Sequence, residues 1–145
     1  MKVEGILTSK GRSVQTIQPW STVAEAVRRL AGPPRIGALV ITTADNSVAG
    51  MITERDIVRA LGIHGAHLVD MQVAEVMSQH VQVCSPQHSI THLMMEMTRW
   101  RLRHLPVVEH GELVGIVSIG DVVRRRVEEM KLEVGVLRDL YIAKQ

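Results

Sequence analysis

The chain is nearly without aromatic side chains: no phenylalanine, one tyrosine (Tyr141) and two tryptophans (Trp20, Trp100) in 145 residues. Its interior must therefore be assembled from Val, Ile, Leu, Met and Ala. The same scarcity removes the stacking platforms on which proteins hold single-stranded nucleic acid. Charge of one sign is scarce as well. Seventeen basic against 15 acidic side chains leave a formal net charge of +2, too weak a bias for a phosphate-backbone partner, so no nucleic acid is expected. Cysteine occurs once, at Cys84, which excludes an intrachain disulfide. Its apolar setting, "VQVC", reads as a strand holding a buried, inert thiol, because a reactive thiolate needs an electropositive and accessible site. No stretch approaches the ~20 apolar residues of a membrane span. The opening "MKVEGILTSKGRSV" has no apolar run of the signal-peptide kind. A cytoplasmic protein with no membrane partner is expected.

What is present is a globular composition, 46% hydrophobic and 22% charged, and a repeat. "GMITERDIV" (50–58) returns as "GIVSIGDVV" (115–123). The copies share Gly50/Gly115, a hydroxyl residue (Thr53/Ser118) and an aspartate three further on (Asp56/Asp121). Upstream, "SVQTIQPWSTVAEAV" (13–27) lies over "HVQVCSPQHSITHLM" (80–94), and "RIGALVI" (35–41) over "LRHLPVV" (102–108). The repeat spans about half the chain, too long for a solenoid unit, and reads as one duplicated supersecondary motif.

Each half has the same outline. A short strand ends at Pro19 or Pro86. A helix follows, with Val23, Ala26, Val27 and Leu30 on one face, matched by Ile90, Leu93, Met94 and Met97. Thr22 and Glu25 suit a capping box, and Ser89 suits a cap. An apolar strand, a turn at Asp45-Asn46 or His110-Gly111, and a second strand come next. The repeated motif then leads into another helix, stopped by Gly62 in the first copy. The expected fold is α/β: two β-α-β-β-α repeats, residues 1–68 and 69–132, packed as one pseudo-symmetric module because neither half alone buries a generous core. Residues 133–145 form a helical tail. Val127, Met130, Val134, Leu137 and Tyr141 fall on one side of it, to pack on their own domain or on a partner helix.

"TERD" and "SIGD" have a plain explanation as helix caps, a hydroxyl N-cap with an acid at the third helical position. Two features point further. Each motif sits where an apolar strand hands over to a helix, a common place for ligand sites. Gly120 also lies in the first turn of a helix, where capping does not need it and where it costs about 1 kcal/mol against alanine. A ligand with two vicinal hydroxyls would suit a carboxylate acceptor beside helix amides.

The paired "GMITERD" and "GIVSIGD", together with "RHLPVV" (103–108) and "LTSKGRSV" (7–14), resemble the CBS domain pair, named after cystathionine β-synthase. The resemblance covers nearly the whole chain and is closest to small stand-alone bacterial CBS-pair proteins. It implies a regulatory module that binds adenosine compounds in two clefts between the halves, with AMP or NAD(H) favoured and ADP, ATP or S-adenosylmethionine left open. It implies ribose held by Asp56 or Asp121, and ribose or phosphate contacts from Thr53 or Ser118. In the Ser118/Asp121 cleft, adenine would lie against Ile36, Gly37 and Ala38 and the linker near Lys10 and Ser13, with Arg103 toward phosphate. In the Thr53/Asp56 cleft the backbone near Arg103, His104 and Leu105 would complete the site, with Arg35 and Arg55 as charge donors. A homodimer and an unknown protein partner are also implied. One departure is Ile57, where an aromatic usually follows "TERD". Glu54-Arg55 stands in the first motif where Ile119-Gly120 stands in the second, and Glu54 would repel phosphate, which favours the Asp121 cleft.

The competing readings are a structural or interaction module with vestigial clefts and, more distantly, an enzyme. His88 and His92 have metal-ligand spacing, but no acid completes the motif and no cysteine cluster accompanies them. Ser118 and Asp121 share one helix turn, which leaves nothing to orient His104 as the base of a triad. No catalytic residue and no metal are expected.

Overall fold

A computed structural model describes residues 1–144; Gln145, the last residue of the expected tail, lies outside the described residues. The first half runs β1 (Thr16–Ile17), α2 (Val23–Ala31), β2 (Ala38–Thr42), β3 (Val48–Thr53) and α3 (Glu54–His64), preceded by α1 (Val3–Lys10). The second runs α4 (Ile90–Trp100), β4 (His104–Glu109), β5 (Glu112–Ser118) and α5 (Ile119–Ala143). Two 3-10 segments, Gly65–Asp70 and Val73–Glu75, connect the halves.

The first sheet has the order β1-β2-β3, with β1 parallel to β2 and β3 antiparallel to it. The second keeps only the antiparallel pair β4-β5. Its third strand, expected over "VQVC", shrinks to one bridge between Cys84 and Val107. The bridge holds through the Cys84 amide to the Pro106 carbonyl at 3.0 Å and the Val108 amide to the Cys84 carbonyl at 2.8 Å, and it cannot extend toward Gln82 because Pro106 has no amide to donate. Cys84 itself is buried, and burial pushes its thiol up to about 12.

The helical faces pack largely as the spacing predicts. Val23, Ala26 and Leu30 are buried, as are Ile90, Leu93 and Met97, while Val27 is partly exposed. Ser89 caps α4 by accepting the His92 amide at 3.0 Å. At Thr22 the hydroxyl accepts the Glu25 amide at 3.2 Å, which is half of the expected box. Gly62 does not stop α3. The helix runs through it to His64, and Gly65, at φ 70°, supplies the terminating conformation by donating its amide to the Leu61 carbonyl.

Two packing features complete the frame. Helix α1 belongs to the other half: Val3, Ile6 and Leu7 join Cys84, Ile90, Leu93, Leu105, Val107, Val117 and Val122 in the second core. The first core is built by Ile17, Ala26, Leu30, Leu39, Ile41, Ile52 and Val73. The shared glycines follow from this crossing. A Cβ on Gly115 would lie 2.6 Å from Leu7 Cδ2, and one on Gly50 would lie 2.5 Å from Met77 Sδ and 2.8 Å from the Ser78 carbonyl. Each sheet is therefore crossed at its glycine by a segment from elsewhere in the chain. The tips join as well, through the Leu113 amide to the Asn46 carbonyl at 3.0 Å and Asn46 Nδ2 to the Leu113 carbonyl at 3.1 Å.

Candidate functional site

Thr53 and Ser118 end their strands in extended conformation and begin their helices. Asp56 Oδ2 accepts the Thr53 amide at 2.9 Å and the Thr53 hydroxyl at 3.0 Å, while the Asp56 amide donates to Thr53 Oγ1 at 3.3 Å. Asp121 Oδ2 accepts the Ser118 amide at 2.9 Å, and the Asp121 amide donates to Ser118 Oγ at 3.1 Å. Both repeated motifs are thus complete capping boxes, each occupying one carboxylate oxygen. The two differ in what else they hold. Lys10 Nζ donates to Asp121 Oδ2 at 2.7 Å and to the Ile116 carbonyl at 3.1 Å. At Asp56 the further contact is the Ser78 hydroxyl, 3.4 Å from Oδ1. Burial pushes the Asp121 carboxyl up, but the Lys10 ammonium and the Ser118 amide outweigh it and hold it below the usual carboxylate range.

Two clefts open between the halves. The larger, 770 Å³, is lined by Arg35, Ile36, Gly37, Thr53, Arg55, Asp56, Arg103 and His104 from the sequence reading, and by Met51, Glu54, Val58, Ser78, Arg101 and Leu102 besides. The smaller, 210 Å³, is lined by Lys10, Ser13, Ile36, Gly37, Ala38, His104 and Ser118, with Gln15 and Ile116 added. The wall between them is made by Ile36, Gly37 and His104, which touch both. A Cβ on Gly37 would lie 2.5 Å from His104 Cε1, so the imidazole fills the space that any side chain there would need. Burial lowers the His104 pKa, and the Lys10 charge lowers it further.

The sequence reading favours the Asp121 cleft; the structure makes the Asp56 cleft the roomier. Drug-sized ligands occupy pockets of about 300–1,000 Å³, a range that admits the larger cleft and excludes the smaller in this conformation. Gly120 and Asp121 do not line the smaller cleft, and Lys10 lies against the Asp121 carboxylate. Arg103, expected to reach the Ser118 side with its side chain and to complete the Thr53/Asp56 cleft with its backbone, lines the Asp56 cleft alone of the two. Its carbonyl is held by the Ile119 amide at 2.8 Å, which ties its backbone to the start of α5. Leu105 is buried in the second core and lines neither cleft. Glu54 does not stand as a free anion: Arg35 Nε and Nη2 each donate to it at 3.1 Å. That pair raises the Arg35 pKa and lowers the Glu54 pKa. Arg101 was not foreseen. It caps α4 at φ 54°, a left-handed conformation that delivers it to the cleft. Among the described residues Arg55, Arg101 and Arg103 make no ion pair, and no group of three His, Cys, Asp or Glu side chains could hold a metal ion.

The sequence pattern of the CBS domain matches the chain twice, over residues 11–63 and 73–128. The chain belongs to the CBS domain family. The CBS-domain containing protein ATU1752 from Agrobacterium tumefaciens is 42% identical, and its crystal structure superposes with a TM-score of 0.81 over 87% of this chain and 99% of that one. The mitochondrial CBS domain-containing protein CBSX3 of Arabidopsis thaliana is 32% identical over 139 residues, 90% of this chain and 67% of its own. The CBS domain pair of MJ0100, solved in complex with 5′-methylthioadenosine and S-adenosyl-L-methionine, is 25% identical with a TM-score of 0.74, covering 86% of this chain and 98% of that one. The pseudo-symmetric halves are thus a tandem CBS pair. Among the described residues, no helix is long and apolar enough to cross a membrane.

Proposed function

We propose that this CBS pair is a non-catalytic regulatory module that binds an adenine nucleotide, with AMP or NAD(H) favoured, between its two repeats. The nucleotide alters the packing of the repeats or of two subunits, and a protein partner reads the change. The observation that carries this reading is the Asp56 cleft. A carboxylate with one oxygen outside its cap stands beside Thr53 and Ser78, for the ribose hydroxyls. Arg55, Arg101 and Arg103, with no carboxylate partner, suit the phosphate. Ile36 and Gly37 line the same cleft and would face the adenine. The two ligands of MJ0100 share adenosine, which supports the nucleoside part of the assignment.

One observation favours the second reading, a structural module, for the smaller cleft. On Asp121 the capping box and Lys10 meet on the same oxygen, Oδ2, so an ammonium already neutralises this carboxylate while Oδ1 stays outside the cap. Thermal unfolding with and without nucleotide separates the readings. At a concentration one hundred times the dissociation constant, a ligand of the folded state adds about 2.7 kcal/mol of stability. A clear upward shift in Tm with AMP or NAD(H) is expected; no shift with any adenine nucleotide would leave the structural reading standing.

Self-association belongs to the same proposal. Val58, Leu61 and Ile63 on α3, Met95 and Trp100 on α4 and a long series on α5 are exposed, an apolar surface that monomers seldom leave uncovered. A homodimer is expected in sedimentation equilibrium at tens of micromolar, and a monomer would contradict it.

A further inference from the structure

We infer that residues 123–141 of α5 form a parallel two-stranded coiled coil with a second copy of this chain. The helix is continuous from Ile119 to Ala143 and leaves its own module. Val122 is its one fully buried residue, and every described residue from Lys131 onward is exposed. The tail does not pack on its own domain. An extension of this length is marginal as an isolated helix in water, and Gly135 within it costs about 1 kcal/mol more than alanine would. Something must cover it.

Six of the exposed apolar residues say what does; Leu132, Val136, Leu140 and Ile142 are exposed as well and fall outside the six. Val123, Val127, Met130, Val134, Leu137 and Tyr141 follow at spacings of four, three, four, three and four. This is an unbroken heptad seam, with Val127, Val134 and Tyr141 at a and Val123, Met130 and Leu137 at d. All six are exposed in the protomer. In the middle of the seam, β-branched Val127 and Val134 at a with unbranched-at-β Met130 and Leu137 at d are the pattern that favours two parallel strands; Val123 and Tyr141 at its ends depart from it. The flanking charges agree. The e positions are Arg124, Lys131 and Arg138, all basic, so an antiparallel pair would set like charges along a whole edge. In a parallel pair Glu133 at g meets Arg138 at e of the second copy. Its one unfavourable contact, Arg126 toward Lys131, is relieved because Arg126 is already paired with Glu129 at 3.2 Å and Glu133 at 3.7 Å. Gly135 falls at the outer b position. A twofold axis along the seam closes the assembly at two chains.

The inference rests on the self-association proposed above, and the test separates the two. In the full chain, Leu137→Cys places a thiol at a d position, where the two copies face each other across a parallel seam. Leu132→Cys places one at an equally exposed f position on the outside. Cys84 is buried and stays out of the reaction. Mild oxidation is expected to cross-link Leu137→Cys at least about tenfold faster than Leu132→Cys. Equal rates, or a faster Leu132→Cys, would overturn the coil. In sedimentation, Val134→Glu with Leu137→Glu is expected to weaken the dimer by at least about tenfold, and Leu132→Glu with Val136→Glu to leave it unchanged. A dimer untouched by the seam substitutions keeps the homodimer and refutes the coil; a monomeric parent refutes both.

Discussion

Gly37 and His104 occupy equivalent positions in the two repeats, 67 residues apart in the sequence. The duplication has kept the backbone and parted the side chains, and the imidazole of one copy now fills the space over the other. Gly37→Ala is expected to destabilise the fold by about 1–3 kcal/mol, the usual cost of forcing an atom into a packed site. The loss should be smaller in a His104→Ala background, because the two changes meet at one contact; denaturant unfolding of the four proteins measures the coupling. The same histidine sets a pH dependence. Burial and Lys10 lower its folded pKa, against Asp121, which raises it. The unfolded chain therefore takes up the proton first as pH falls. The contribution is intact above the unfolded pKa of about 6.5 and is lost as pH falls through the folded value. His104→Gln should flatten the decline in stability between about pH 7 and pH 5 relative to the parent. An identical slope in both proteins would mean that the burial at this wall does not hold in solution.

At the scale of elements, the helices show how local chemistry and tertiary context divide the work. The 3-1-3 apolar steps of α2 and α4 were enough to give both faces, because an amphipathic helix announces its buried side by spacing. The end of α3 was not legible in the same way, because Gly62 and Gly65 both satisfy the rule for a stop and only the backbone chooses between them. That choice can be checked. Gly62 sits inside the helix with no neighbour within 4 Å of a Cβ, so Gly62→Ala should stabilise by about 0.5–1 kcal/mol. Gly65→Ala, at φ 70°, should cost about 1–3 kcal/mol. Helix α1 went unread although Val3, Ile6 and Leu7 carry a helical step, Glu4 and Lys10 suit its two ends and Gly11 follows. Its apolar face is only three residues wide, and its partners lie about eighty to one hundred and twenty residues away. The missing strand at Cys84 is the converse case: a β-like run whose neighbour β4 carries a proline, Pro106, where the next ladder amide should be.

At the scale of the whole molecule, the sequence weighs the two clefts unequally, in favour of Asp121, and the fold makes the Asp56 cleft the roomier. The inequality comes from contacts between segments distant in sequence, which a motif comparison does not contain: Lys10 over Asp121, Arg35 against Glu54, and Arg101 and Arg103 together on the Asp56 side. Of the motif residues, Thr53, Asp56 and Ser118 line the clefts and Asp121 does not, a difference the motifs alone do not carry. The account places the nucleotide first in the Asp56 cleft, and calorimetry on two substitutions tests that most directly. Asp56→Asn removes a charged acceptor from the ribose hydroxyls, an interaction worth about 1.5–3 kcal/mol, so affinity for AMP or NAD(H) should fall about 10- to 100-fold. Asp121→Asn should change it by less than about threefold, within 0.7 kcal/mol. A nucleotide that binds the parent and Asp56→Asn equally, or that is lost on Asp121→Asn alone, would contradict the account.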